Sequence, residues 1–131
     1  MRKALVLLLY SRIEIRLKCI LNIHALSNAI DNSGIARFNF NNIKEAFKNY
    51  FDIDVKKIEL FNSFDELRAL NNCLKHEEIA SDELEQINSC RWHQGEEVKL
   101  TKDDLNRLVS ESKKFFYNLF GELRIKLAEN Q

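Results

Sequence analysis

Arg68, Asn71, Asn72, Lys75 and His76 are residue types that suit phosphodiester chemistry, and their spacing groups them. On a helix turning about 100° per residue they fall within an arc of roughly 140°, with Leu67, Leu70, Cys73 and Leu74 on the opposite side. A histidine can take the proton from a ribose 2′-hydroxyl, and a guanidinium can bind the phosphate and offset charge in the transition state. Arg68, Asn72 and His76 stand at i, i+4 and i+8, the candidate catalytic stripe, with Asn71 and Lys75 as candidate RNA-binding or interface residues. Such chemistry needs no metal and no cofactor. One helix seldom surrounds a phosphate, so another helix or a second subunit must complete the site. Asparagines 71 and 72 side by side in mid-helix compete with the backbone for hydrogen bonds, a local cost that a functional role would offset.

A rival constellation is metal. Cys73-x-x-His76 and Cys90-x-x-His93 supply two thiols and two imidazoles at spacings that zinc tolerates. Cys73 belongs to the core side of the helix and His76 to the edge of its polar side, so the pattern assigns no metal ligand.

The elements that must position these residues read as helices. Lys3 to Asn28 carries Val6, Leu9, Ile13, Leu17, Ile20, Leu21 and His24 at steps of mostly three and four, one long amphipathic helix. Leu5, Leu7 and Leu8 widen its apolar band, which predicts either deep burial or a subunit interface at that end. His24 reads as a hydrogen-bonded core residue. Asp31 to Asn42 reads as an irregular, mobile loop. Ile43 to Phe51 predicts a second helix capped by Asn41 or Asn42, and Asp54 caps a short one, with a strand over Ile58 to Phe61 as the alternative. The central helix should start at Ser63, in a capping box with Glu66. Ser81 then caps Asp82 to Ser89, Trp92 packs from a loop, and Thr101 caps a long final helix. There Leu105, Leu108, Val109, Phe116, Leu119, Phe120, Leu123 and Leu127 keep helical spacing.

Composition agrees with an all-α class. The 131 residues are 45% hydrophobic, enough for one domain core, and hold no Pro and three Gly, too few for a chain of tight hairpins. We expect a bundle of four to six helices, two long terminal ones packed around the central motif helix, in one domain over residues 1–131. Basic and acidic residues balance at 20 each, so any contact with nucleic acid must be local. Three cysteines, an odd number, read as reduced thiols. The opening Met1-Arg2-Lys3 and Ala4 to Tyr10 imitates a signal peptide, but charged residues follow at once, which predicts a cytoplasmic protein without a membrane span.

The run Asp65-Glu66-Leu67-Arg68-Ala69-Leu70-Asn71-Asn72-Cys73-Leu74-Lys75-His76 resembles the core helix of the HEPN family, small all-α domains of bacterial defence and toxin–antitoxin systems, many of them RNases. Tyr10-Ser11, Glu14 and Leu17-Lys18 resemble that family's first helix, and Trp92, Gly95, Leu100-Thr101 and Leu105 the approach to its last. The family pattern is an arginine, a polar residue, about three more residues and a histidine. Counted back from His76, the arginine position holds Asn71 and the polar position Asn72, while Arg68 lies one turn earlier. The polar arc predicts a homodimer in which Asn71 and Asn72 pair with their symmetry mates and with the opposing Arg68. The resemblance implies that this dimer binds RNA or cleaves it without metal through Arg68, Asn72 and His76. It also implies an antitoxin or a larger defence protein as partner. The alternative is a catalytically inactive helical module for dimerisation or protein interaction.

Overall fold

A computed structural model describes residues 1–129. Five α-helices follow in order: α1 Arg2–Ser27, α2 Phe40–Phe51, α3 Phe61–Lys75, α4 Asp82–Ile87 and α5 Lys102–Glu129. Short 3-10 turns at Ile35–Arg37 and Val55–Lys57 fill the connections. The fold is all-α, with two long terminal helices packed against the shorter central ones. The single β-type contact among the described residues is an antiparallel bridge between Ile79 and Glu97. None of the described helices is long and apolar enough to cross a membrane.

The centre of the bundle is α3, which packs against α1, α4 and α5. Phe64, Leu67 and Leu70 are fully enclosed, and Phe64 stacks on Phe115 of α5 at 4.9 Å and on Tyr10 of α1 at 5.8 Å. Burial does not stop at that apolar side, because Glu66 and Asn71 are also inside.

The predicted start of α3 is corrected. The helix begins at Phe61, after Leu60 in the left-handed region at φ 67°, a conformation that side chains other than Gly adopt at a cost. Ser63 is therefore within the helix, and its hydroxyl donates to Glu111 of α5 instead of capping. Glu66 does not reach back to Ser63. Its carboxylate accepts from Arg107 of α5 at 2.5 and 3.2 Å, from the Trp92 indole at 3.1 Å and from Asn88 at 2.9 Å. Tertiary donors outcompete the local cap because a carboxylate 3% exposed must be satisfied by the groups that surround it.

Other boundaries follow their caps. Asn39 and Asn42 form a reciprocal capping box, at 2.8 and 3.0 Å, so α2 begins three residues before Ile43 and takes Phe40 into the core. No strand forms at Ile58 to Phe61. Ser81 caps α4 as expected, and α4 stops at Ile87. Thr101 and Asp104 cap the start of α5 reciprocally, Thr101 N–H to Asp104 at 2.8 Å and Asp104 N–H to Thr101 Oγ1 at 3.1 Å. Arg91 holds the same carboxylate at 2.6 and 2.9 Å while its guanidinium lies 3.9 Å from the Trp92 ring centroid.

Burial also departs from the predicted pattern in three places. The Asp31 to Asn42 loop is docked rather than loose, with Ile35 enclosed and Lys18 donating to the Ala36 carbonyl at 3.0 Å. Leu5 and Leu8 are exposed, so that end of α1 is not deeply buried. On α5, Phe115 and Ser112 take the core positions, while Val109, Phe120 and Leu127 face outward. His24 is half-buried against the rings of Tyr50 and Phe51, at 4.9 and 4.7 Å.

Two predictions follow from these polar locks. Glu66→Ala leaves Trp92 and Arg107 without their acceptor and should cost about 3 kcal/mol in urea unfolding, at the low end for a broken buried pair because Arg107 still reaches water. Burial pushes the Asp104 carboxyl up, and hydrogen bonds from Arg91 and Thr101 outweigh that and hold it below the ordinary carboxylate range. Its folded value is depressed, so its contribution is complete above about pH 4 and is lost as pH falls further through that value. Asp104→Asn should be less stable than the natural chain at neutral pH, with a deficit that shrinks in acid, as unfolding midpoints across pH 2 to 7 will read.

Candidate functional site

The polar side of α3 lines an open cleft, in which Asn71 is buried and Arg68 half-buried while Asn72 and Lys75 stay exposed. Together with α1, α2 and the Val55–Lys57 turn, that side forms a cleft of about 460 Å³ whose lining includes Arg68, Asn71, Asn72 and Lys75. Tyr10 and Glu14 contribute from α1, Phe40 and Lys44 from α2, and Lys56 from the turn. Each is placed by an identifiable local device. The capping box at Asn39 starts α2 early enough to put Phe40 beneath the cleft and Lys44 one turn on, its ammonium 5.3 Å from the Phe40 ring centroid. Asp54 accepts from the Lys56 N–H at 3.1 Å and so fixes the turn that carries Lys56.

Arg68 is in the cleft but already engaged. Its Nε donates to Asp65 at 2.8 Å, a second nitrogen stands 3.1 Å from Glu83, and the guanidinium lies 6.0 Å from the Phe40 ring centroid. Burial works against its charge, and the two carboxylates more than offset that and raise its pKa further. Among the described residues Lys44, Lys56 and Lys75, in contrast, enter no ion pair. Partial burial, and then the nearby Lys56, pull the Lys44 ammonium below its usual pKa. An anion placed between these two cations would relieve their repulsion.

Asn71 is the most enclosed polar group here, 2% exposed, and its Oδ1 has no hydrogen-bond partner. Buried acceptors are nearly always paired, so this one marks a place where a donor is missing. Tyr10, buried between α1 and α3, has its hydroxyl pKa raised by burial and by the neighbouring Glu14.

No family model, curated protein or solved structure matches the chain. Its chemistry must therefore be argued from this geometry.

The structure brings four of the five predicted site residues into one cleft and leaves the fifth outside. His76 is the residue past the end of α3, with φ −112° and ψ −103°, so the i, i+4, i+8 stripe stops at Asn72. Its exposed ring lines an adjoining pocket of about 550 Å³ with Asn72, Cys73, Ser81 and Gly95. Asn72, exposed at the ridge, lines both spaces. Asn71 cannot pair with a symmetry mate across a dimer interface, as the amide pattern suggested, because it lies inside one subunit. Among the described residues no three His, Cys, Asp or Glu side chains converge at metal-binding distance.

Lys44, Lys56 and Tyr10 were not identified from the sequence. They lie on three other elements, and a lysine at the solvent edge of an amphipathic helix has no local signature that separates it from any other. Asn71→Leu should test the orphan acceptor directly. It removes a buried unsatisfied oxygen at similar volume and should hold or raise stability, by up to about 1 kcal/mol in a thermal melt, while any ligand of the cleft binds more weakly.

Proposed function

We propose that the chain is a HEPN-like helical domain that binds RNA in the cleft beside α3. The observation that carries this reading is that three lysines without ion pairs, Lys44, Lys56 and Lys75, line the same open cleft as Asn71, whose buried Oδ1 has no hydrogen-bond partner. Ammonium groups bind phosphates, and an amide oxygen accepts from a base amino or imino group. Phe40 and Tyr10 form the buried floor of the same cleft.

Metal-independent cleavage is the further step of this reading. His76 would act as base at the mouth of the cleft, across the Asn72 ridge, in a homodimer whose second copy closes the site. Arg68 counts against it, because Asp65 and Glu83 already hold the guanidinium that would have to meet the phosphate. That engagement favours the second reading, a catalytically inactive module for dimerisation or protein interaction. By analogy with the family, the partner would be an antitoxin or a larger defence protein and the setting cytoplasmic.

Titration of a labelled oligoribonucleotide at several salt concentrations separates the readings. Contact with three lysines should give a slope of about −2 in log affinity against log salt, and Lys44→Ala with Lys56→Ala should flatten it. Absence of salt-dependent binding at low ionic strength would leave the interaction module. If the RNA is also cut, His76→Ala should abolish cutting and leave binding within about twofold.

A further inference from the structure

The outer side of α1 carries a second apolar line that the bundle does not use. Leu5, Leu8, Arg12, Ile15, Cys19, Ile23 and Leu26 fall within about 80° of arc on a helix turning 100° per residue. The buried residues, from Val6 to Ala25, lie on the opposite side of the same helix. Leu5, Leu8, Ile15, Ile23 and Leu26 are 46 to 69% exposed. Scattered apolar residues on a surface mean little, but five on one line of a single helix form a contiguous strip.

α5 runs beside α1 in the same direction. Arg2 donates to the Leu100 carbonyl just before α5 begins, and at the other end His24 meets Phe51, next to Asp52, which shares a pocket with Lys126. Val109, Phe120 and Leu127 make a parallel exposed line on α5, on the flank away from Glu111 and Asn118, which bond to Ser63 and Glu59.

The charges on these two lines all have one sign. Arg12 and Arg16 stand on or beside the α1 strip, and Lys113 and Arg124 flank that of α5. The one carboxylate of α1, Glu14, is on the cleft side, paired with Lys18 at 3.2 Å. Among the described residues none of these four cations forms an ion pair. In a chain with balanced charge overall, this face is apolar and wholly basic.

Three occupants can be weighed. A second copy would set cations against cations with no carboxylate between them, which is costly at an interface. A membrane surface suits cations at the edges of an apolar face, where they reach the headgroups, whereas Arg12 sits in the middle of the strip. A partner helix with glutamates at the centre of its own apolar face would meet both the leucines and the arginines. The size agrees with this occupant. Leu5 to Leu26 spans about 32 Å, the length of a partner helix of about 21 residues.

We propose that the outer face of α1 and α5 is the docking site for an amphipathic helix of another protein, apolar along its seam with acidic residues at the seam's centre. This stands independently of what the cleft binds, since the strip lies on the other side of α1 from Tyr10 and Glu14.

The test uses the full chain and two labelled helical peptides. Both carry leucine at the outer seam positions, and one has glutamate and the other lysine at two central seam positions. Fluorescence anisotropy should show the glutamate peptide binding at least tenfold more tightly. Arg12→Glu with Arg16→Glu should reverse the preference, with unchanged helicity by circular dichroism because both side chains point outward. Leu8→Gln should weaken both peptides and serves if the double variant fails to fold. Equal binding of the two peptides, or none, overturns the proposal. So does binding to phosphatidylglycerol vesicles without peptide discrimination, which would assign the face to membranes. Self-association that Leu8→Gln abolishes would assign it to a second copy and overturn the proposal equally.

Discussion

Glu66 is a carboxylate in the middle of a helical core, and the arrangement of the bundle depends on how it is satisfied. An ionised carboxylate removed from water is stable only with charge and hydrogen bonds around it. The four donors that reach it come from three places in the chain: Asn88 after α4, Trp92 in the following loop, and Arg107 on α5. All of them lie downstream of α3, so the carboxylate gathers the second half of the molecule onto the central helix. The loop from Asn88 to Thr101 holds almost no regular structure, yet it is fixed at both ends of this system. Trp92 contacts Glu66, and the adjacent Arg91 grips Asp104 in the cap of α5. A shift of α5 along α3 by one turn would carry Arg107 away from Glu66 and Glu111 away from Ser63 together. Register is thereby specified by polar contacts in a core whose leucines and phenylalanines would tolerate slippage more readily.

The same central position of α3 explains the cleft. With Glu66 turned toward α5, the opposite side of the helix faces α1 and α2, and Asn71 follows on that side. A surface helix buries one stripe, whereas α3 buries residues over most of its circumference, so one of its polar residues is forced inside. Among the described residues nothing donates to the Asn71 Oδ1, and Lys44, Lys56 and Lys75 beside it enter no ion pair, whereas Arg68 is held by Asp65 and Glu83. A buried acceptor without a donor costs stability in the free chain, a cost that a ligand offering a donor would offset.

Much of this fold was legible in the sequence, and where it was not, the reason is physical. The helical class, the two long terminal helices, the central position of Phe64 to Leu74, and the caps at Ser81 and Thr101 follow from apolar periodicity and local hydrogen-bond chemistry. The start of α3 did not, since a capping box and a tertiary salt bridge use the same Ser and Glu and only packing decides between them. The true start rests on Leu60 in a left-handed conformation that no propensity favours. On α5 the apolar side was visible, but Phe115 and Phe116 are adjacent candidates for the core, and it is Phe115 that stacks on Phe64 of α3. The site was half legible. Spacing grouped Arg68, Asn71, Asn72 and Lys75, and it wrongly extended the stripe through His76, because nothing local marks the helix end at Lys75. Lys44 and Lys56 come from other elements, and no one-dimensional pattern joins them to α3.

On α1, helical periodicity reports the side that folds and not the side left over. The apolar residues of this helix occupy two opposite sides, so the periodicity that marks the inner side says nothing of the outer one. Spacing already grouped Val6, Ile13 and Leu17, which enter the core, and the structure adds that Leu5, Ile15 and Ile23 form an exposed line on the opposite side. A helix with one apolar side is fully explained by its own domain. With two, the inner side accounts for folding, and the outer side exposes leucine and isoleucine that fold stability does not require. Arginines set into that outer line oppose its burial in any neutral or basic surrounding, including a copy of itself. The combination narrows the acceptable surroundings to something both apolar and acidic, and it does so without reference to the cleft on the other side of the helix.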